Sequence, residues 1–456
     1  MISRTIVTTC AVLTLAASSR PTAAQTVPRL QYEKTTLANG LEVILHEDHS
    51  TPIVVVNTWY KVGSGDEKPG RTGFAHLFEH VMFMGSQNVP VGQFDKWLEA
   101  AGANNNGSTT EDRTNYYETM PSNALPLALW LDADRMGRLL PVMDQTKLDL
   151  QRDVVKNERR QRVDNVPYGK WNETIIAALY PANHPYHWPV IGSLADLTAA
   201  SLEDVKQFFR TYYAPNNATL VIAGDFNRDS ALTWVNRYFG GIPRGPQMPP
   251  RPVVPVVSIP RDTFLLLEDR VTLPRLYTTW HTERIYHAND APLDVLADVL
   301  AGDKNSRLYK RLVFDMQVAQ DVNAFNNSTK LDGYFNITVT PKPGQTPTRM
   351  SELVAEEVSR VAKDGITERE LARARNTRRA AFLDRMASVL GKSDRLAEYN
   401  YFAGTPDYSQ QDAARYDRVT AADVQRVAAE YLSKPKVVLT VVPQGKKELM
   451  VSGGAR

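Results

Sequence analysis

Gly73-Phe74-Ala75-His76-Leu77-Phe78-Glu79-His80-Val81-Met82-Phe83-Met84 is the stretch on which the reading of the whole chain turns. Its pattern, H-x-x-E-H, sits inside an apolar run, so a helix here is hydrophobic on nearly every side and is expected to be buried. Two imidazoles and a carboxylate buried without partners are costly, so something must compensate them. On a helix His76 and His80 stand four residues apart on one face, and Glu79 lies three residues from His76 beside that face. Two imidazoles so spaced can hold one Zn²⁺, with the carboxylate next to an open coordination position. The structural alternative is a pair of core histidines bonded to carbonyls. A lone His would favour it; this triplet favours the metal.

Outward from this helix the pattern is α/β. Tyr32–Leu37 and Leu41–Leu45 alternate around an Asn39-Gly40 turn, and Ile53–Tyr60 is a strong strand. The Gly- and charge-rich 63–73 segment is a loop that delivers the chain into the motif helix. Phe94–Ala101 predicts a second helix, ended by Gly102. Residues 103–110 (Ala-Asn-Asn-Asn-Gly-Ser-Thr-Thr) read as polar and turn-like, with a strand following at Thr114–Met120. Helical patterns fill 123–140 and 145–163. Ser201-Leu202-Glu203-Asp204 is a capping-box-like helix start, and Ala218–Gly224 a buried strand.

Seven prolines in residues 242–260 exclude a helix or a central strand there, and mark a linker. Beyond it the order of elements repeats. Leu276–Trp280 echoes Val56–Trp59, a helix at Ala291–Leu300 follows, and Thr420–Val424 through Val437–Val442 echoes Ser201–Val205 through Leu220–Ile222. The chain thus divides into a signal peptide (1–24), an N-terminal domain (27–243), a Pro-rich linker (244–260) and a C-terminal domain (261–456), the two domains being copies of one unit. Where the first copy has its motif, the second has Leu293-Asp294-Val295-Leu296-Ala297-Asp298-Val299. It contains no histidine and is expected to bind no metal.

The first residues form a separate class. Arg4 gives a positive start, Ile6–Ala17 is apolar and small, and Thr22-Ala23-Ala24 offers a cleavage site. This reads as a secretory signal peptide, its core being too short to span a bilayer, and predicts a periplasmic mature protein. No later apolar run is long enough to span. Removing residues 1–24 also removes Cys10, the only cysteine, which excludes disulfides, thiolate metal sites and thiol catalysis. A formal net charge of +2 with no basic block excludes the signature of a nucleic-acid binder.

A hydrolytic zinc usually has three protein ligands, so one is missing. The six other histidines lie in turns or strand ends without helical pairing to the motif. A carboxylate is the other source: Leu148, Gln151, Val155, Glu158 and Arg162 share one helical stripe, which places Glu158 with apolar residues and away from a charged face carrying Arg152 and Arg159. Spacing alone leaves open a solvated helix glutamate.

His76-Leu77-Phe78-Glu79-His80, with Val154-Val155-Lys156-Asn157-Glu158-Arg159-Arg160-Gln161 further on, resembles the inverted-zincin metallopeptidases, family M16, which include pitrilysin, insulin-degrading enzyme and the mitochondrial processing peptidase. The likeness extends through 102–109, Asn115-Tyr116-Tyr117 and 216–225, and covers essentially the whole mature chain. It implies an α+β fold of two homologous α/β-sandwich repeats of the LuxS/metallohydrolase kind, each an antiparallel-rich sheet with helices packed on it. It implies His76, His80 and Glu158 as zinc ligands, Glu79 as general base, and Asn106 and Gly107 on an edge strand that hydrogen-bonds an extended peptide.

Two departures from the family pattern matter. Gln151 stands where a second glutamate is frequent. The positions that align with an oxyanion-binding Arg/Tyr pair are Val313 and Gln320. Half-length relatives work as dimers in which a paralogous subunit supplies that pair, and such a hetero-oligomeric partner is expected here in preference to a homodimer. Arg307, Tyr309 and Arg311 are the rival source within the chain. The functional expectation is a zinc endopeptidase for short or unfolded peptides. The competing readings are a non-catalytic assembly subunit and a peptidase dedicated to one precursor.

Overall fold

Val54-Val55-Val56 shows no polar alternation because the strand that carries it is covered on both faces. The computed structural model describes residues 27–251, 254 and 257–453; the signal-peptide segment lies outside them. In the first half β1 (Glu33–Thr36), β2 (Glu42–Glu47) and β3 (Ile53–Tyr60) lead into α1 (Phe74–Val81) and α2 (Gln93–Ala100). The hairpin β4 (Asn104–Thr109) and β5 (Thr114–Pro121) precedes α3 (Leu125–Arg138), α4 (Gln145–Arg159), α5 (Trp171–Leu179), α6 (Leu194–Ala199) and α7 (Leu202–Tyr212). β6 (Ala218–Gly224) and α8 (Arg228–Phe239) close the half.

The second half runs β7 (Thr263–Asp269), β8 (Arg275–Thr282), α9 (Asp290–Ala301), β9 (Ala319–Ser328), β10 (Gly333–Pro341), α10 (Pro347–Asp364) and α11 (Glu368–Arg385). α12 (Val389–Glu398), α13 (Ser409–Arg418), α14 (Ala421–Tyr431) and β11 (Val437–Pro443) complete it. Between α8 and β7 the described residues contain no helix or strand. Missing donors and fixed φ angles account for that in so proline-rich a segment.

The strand orders reveal the repeat. The first sheet is β1-β2-β6-β3-β5-β4 and the second β7-β11-β8-β10-β9. In each, one pair is parallel (β2–β6 and β7–β11) and the rest antiparallel. Taken in chain and strand order, β3, α1, β4 and α4 correspond to β8, α9, β9 and α11. Both β4 and β9 are edge strands. The fold is α+β, two sheets with helices packed on them.

The halves also exchange cover. α1, α3, α7 and α8 bury the first sheet's inner face around Leu77, Phe78, Leu129 and Leu220. Its other face, with Ile44, Trp59 and Val221, is closed by Leu396 and Ala397 of α12, a second-half helix. Reciprocally, Ile175, Ile176 and Leu179 of α5 cover Val437, Leu439 and Val441 of β11. A polar node ties the same seam: Lys34, Lys61, Thr219 and Asn400 all donate to the Glu42 carboxylate, Asn400 from the second half.

Candidate metal centre

α1 begins where Gly73 takes a left-handed conformation, φ +87°, with Ile191 O 2.9 Å and Gly192 Cα 3.0 Å from where a Cβ would sit. Its free N–H groups are met by the buried Glu67 carboxylate, which accepts from Gly73 N (2.9 Å) and Ala75 N (2.8 Å). Phe74, Leu77, Phe78 and Val81 then anchor the helix in the first core, and its remaining face turns His76 and His80 towards α4. α4 starts on Asp144, whose side chain accepts from Lys147 N. Its far end is pinned by Arg159, which donates to Gly192 O (2.8 Å) and Glu173 (2.7 Å). Arg159 is therefore buried in a polar network, and the expectation that it lies on a charged outer face is corrected: the Glu173 carboxylate and the Gly192 carbonyl compensate it inside.

Between the two helices three side chains converge. Glu158 Oε2 lies 3.1 Å from His80 Nε2 and 3.6 Å from His76 Nε2. One donor atom from each of the three residues falls within 4.8 Å of the others, and no other such group of three occurs among the described residues. Donors about 2.0–2.1 Å from a single tetrahedral zinc stand about 3.4 Å apart, a spacing these separations bracket. His76 Nδ1 is buried without a hydrogen-bond partner, so the ring depends on what Nε2 holds to offset its burial. Burial and the neighbouring His80 push the His76 imidazole down to about 4, which leaves it neutral with a free lone pair at pH 7. The hydrogen bond from His80 outweighs burial and holds the Glu158 carboxyl below its usual range. On these grounds the donor set fits a zinc ion. Arg162 adds a 2.6 Å ion pair to Glu158 Oε1 from one turn on, the cation that an inward carboxylate calls for and that an i,i+4 reading could have found.

Glu79 stands next to this cluster and points at β4. Burial pushes its carboxyl up, and the Thr109 hydroxyl, donating to Oε2 at 2.6 Å, draws it part of the way back. The turn-like reading of 103–110 is corrected: Asn104–Thr109 is a strand, its Asn-rich composition overridden by pairing with β5 along Asn106↔Tyr117 and Gly107↔Tyr116. The Thr110 N–H donates to Arg113 O, and ladder alternation then turns the backbone of Asn105, Gly107 and Thr109 to the open side. Asn106 is exposed on this edge, and its Oδ1 accepts from Gly107 N (2.8 Å).

The rival oxyanion donors are held elsewhere. Arg307 forks onto Glu370 (2.6 and 2.8 Å), and Arg311 is paired with Glu356 and Glu357. Tyr309 and Val313 pack on the second core, and Gln320 is exposed on β9. Gln151 donates to the Met84 sulfur. Of the other histidines, His46 and His184 are buried. His46 is hydrogen-bonded to Gln31 O, and His184 Nδ1 accepts from Tyr186 N. At the place in the second half that matches the metal cluster, α9 presents Asp294 and Asp298 to Arg378 of α11. The guanidinium donates to Asp294 Oδ2 (2.9 Å), Asp294 O (2.8 Å) and Asp298 Oδ1 (3.2 Å).

Two family descriptions match the chain: Insulinase (Peptidase family M16) over residues 42–184, and Peptidase M16 inactive domain over residues 199–378. The zinc protease PqqE of Helicobacter pylori is 28% identical over 411 residues, 88% of this chain and 90% of that one. A protease crystal structure from the same organism superposes with a TM-score of 0.84 at 26% identity, covering 91% of this chain and all of that one. The periplasmic protease PqqL of Escherichia coli shares the fold, with a TM-score of 0.75 at 17% identity; 91% of this chain covers 48% of that chain. The chain carries an H-x-x-E-H helix in its first half and no such motif on the corresponding helix of its second. This chain belongs to peptidase family M16.

Proposed function

We propose that the chain is the metal-and-base half of a zinc endopeptidase acting on short or unfolded peptides, with His76, His80 and Glu158 holding the zinc. The convergence of those three side chains beside Glu79 and an open strand edge carries the reading. A bound zinc ion supplies the Lewis acidity that makes water a nucleophile near neutral pH. Glu79 takes a proton from the attacking water as its oxygen bonds to the peptide carbon, and delivers it to the amine nitrogen as the C–N bond breaks. An extended peptide adds beside β4 through the outward backbone of Asn105, Gly107 and Thr109, with Asn106 at the same edge. Folded substrates cannot offer a free strand, so selection for unfolded peptides follows.

Oxyanion donors are the missing part. With Val313 and Gln320 at the aligned positions and Arg307 and Arg311 tied to carboxylates, the Arg/Tyr pair comes from a second, paralogous chain. We place it in the periplasm after removal of residues 1–24, with 27–243 and 261–456 as domains joined by 244–260; the likeness to PqqL, a periplasmic protease, favours this location. Among the described residues no helix is long and apolar enough to cross a membrane.

The test is co-purification from the native host, metal analysis, and digestion of an unstructured peptide by the chain alone and with what binds it. One zinc per chain and cleavage that requires the partner is the expected result. No zinc in fresh protein, and none taken up on addition, would favour a non-catalytic assembly subunit. Cleavage of a single precursor and of no generic peptide would mark a dedicated processing peptidase.

A further inference from the structure

The strand offered to the substrate also grips the base. Residues 107 and 109 lie on the same face of β4, since side chains alternate along a strand, and that face meets α1. Thr109 Oγ1 donates its single hydrogen to Glu79 Oε2 at 2.6 Å. The neighbouring Thr114 hydroxyl is directed to Val62 O at 3.0 Å. Among the described residues no cation forms an ion pair with Glu79. Gly107 flanks the other oxygen: a Cβ there would sit 3.0 Å from Glu79 Cγ and 3.4 Å from Oε1.

We propose that Thr109 is a positioning residue for Glu79, and that Gly107, by lacking a side chain, keeps Oε1 clear as the oxygen that exchanges protons. This rests on the reading of Glu79 as general base. A carboxylate with one oxygen anchored can turn only about that anchor, so the hydroxyl sets where the second oxygen's lone pairs point. Without it the carboxylate samples other rotamers, and the base is misplaced for part of the time. With a methyl at residue 107 the carboxylate must shift by a few tenths of an ångström, or the strand must move away from α1.

Two measurements on the full chain test this. Crystal structures of metal-free Thr109→Val, Thr109→Ser and Gly107→Ala read the Glu79 rotamer without reference to activity. Steady-state hydrolysis of a fluorescence-quenched unstructured peptide, with the native partner present, reads kcat and KM. Expected are a Glu79 rotamer lost in Thr109→Val and kept in Thr109→Ser, and kcat lowered about 10–100-fold in Thr109→Val with KM within about threefold. Thr109→Ser recovers most of that loss, and Gly107→Ala lowers kcat with zinc still bound. If Thr109→Val keeps its rotamer and its kcat, or if Thr109→Ser is as impaired as Thr109→Val, the hydroxyl does not position the base and the proposal falls. Thr109→Ala replaces Thr109→Val in the same comparison should the valine variant fail to fold. Wild-type-like hydrolysis by Glu79→Gln would instead remove the general-base reading itself, which separates the two failures.

Discussion

His80 Nε2 and Glu158 Oε2 lie 3.1 Å apart although 77 residues separate them in the chain, because α1 and α4 are pressed together with the faces that carry His76, His80 and Glu158 turned towards each other. Glu158 is thus the one member of the cluster not fixed by the helix that carries the motif. Glu158→Gln keeps the shape of the side chain and removes its charge. Zinc affinity is expected to fall at least about 100-fold while the melting temperature of the metal-free protein changes little. Equilibrium dialysis against a zinc buffer measures it.

The motif helix was legible from its sequence because spacing and apolar context are local properties. α1, the strand Ile53–Tyr60, the capping box at Ser201 and Asp204, and the helix and strand echoes of the second half all lie where periodicity puts them. β4 was legible only through the family resemblance, which implied an edge strand at Asn106, since three asparagines and a glycine carry no strand signal of their own and the partner strand decides. Arg159 was misread for a related reason: its compensating carboxylate, Glu173, comes from a different helix. The exchange of α5 and α12 across the seam is invisible to any one-dimensional pattern, and so is the donation from Thr109 to Glu79.

The Glu42 node predicts an acid-sensitive seam. Burial raises the carboxyl, but hydrogen bonds from Lys34 and Lys61 outweigh it and hold it down at about 2. A carboxyl whose folded value is lowered contributes fully above its ordinary value of 4.5 and loses that contribution as pH falls towards 2. Discounted for its partial exposure, this is on the order of 2 kcal/mol. Urea unfolding of wild type and Glu42→Gln should therefore differ at pH 7, differ less as pH falls below 4.5, and converge only towards pH 2. A constant difference across that range would refute the assignment.

The ion-pair triad of the second half is expected to be structural. Arg378→Met leaves Asp294 and Asp298 without their cation and should cost roughly 2–4 kcal/mol in chemical denaturation, with zinc content unchanged. Adding Asp294→Asn and Asp298→Asn should recover part of the loss, since the uncompensated charges are then gone.

Arg307→Ala and Arg311→Ala separate an oxyanion role from a structural one. Both guanidiniums are committed to carboxylates of α10 and α11. In the complete assembly each variant should keep kcat/KM within about threefold while unfolding at lower urea. A loss of about 100-fold in kcat with stability intact would restore them as in-chain oxyanion donors.

The most direct test of the central claim is peptide hydrolysis by Glu79→Gln in the presence of the native partner, with zinc measured in the same sample. One zinc per chain and a rate lowered about 10²–10⁴-fold, the contribution of a positioned general base, are expected. Zinc at full occupancy with hydrolysis at the wild-type rate would contradict it.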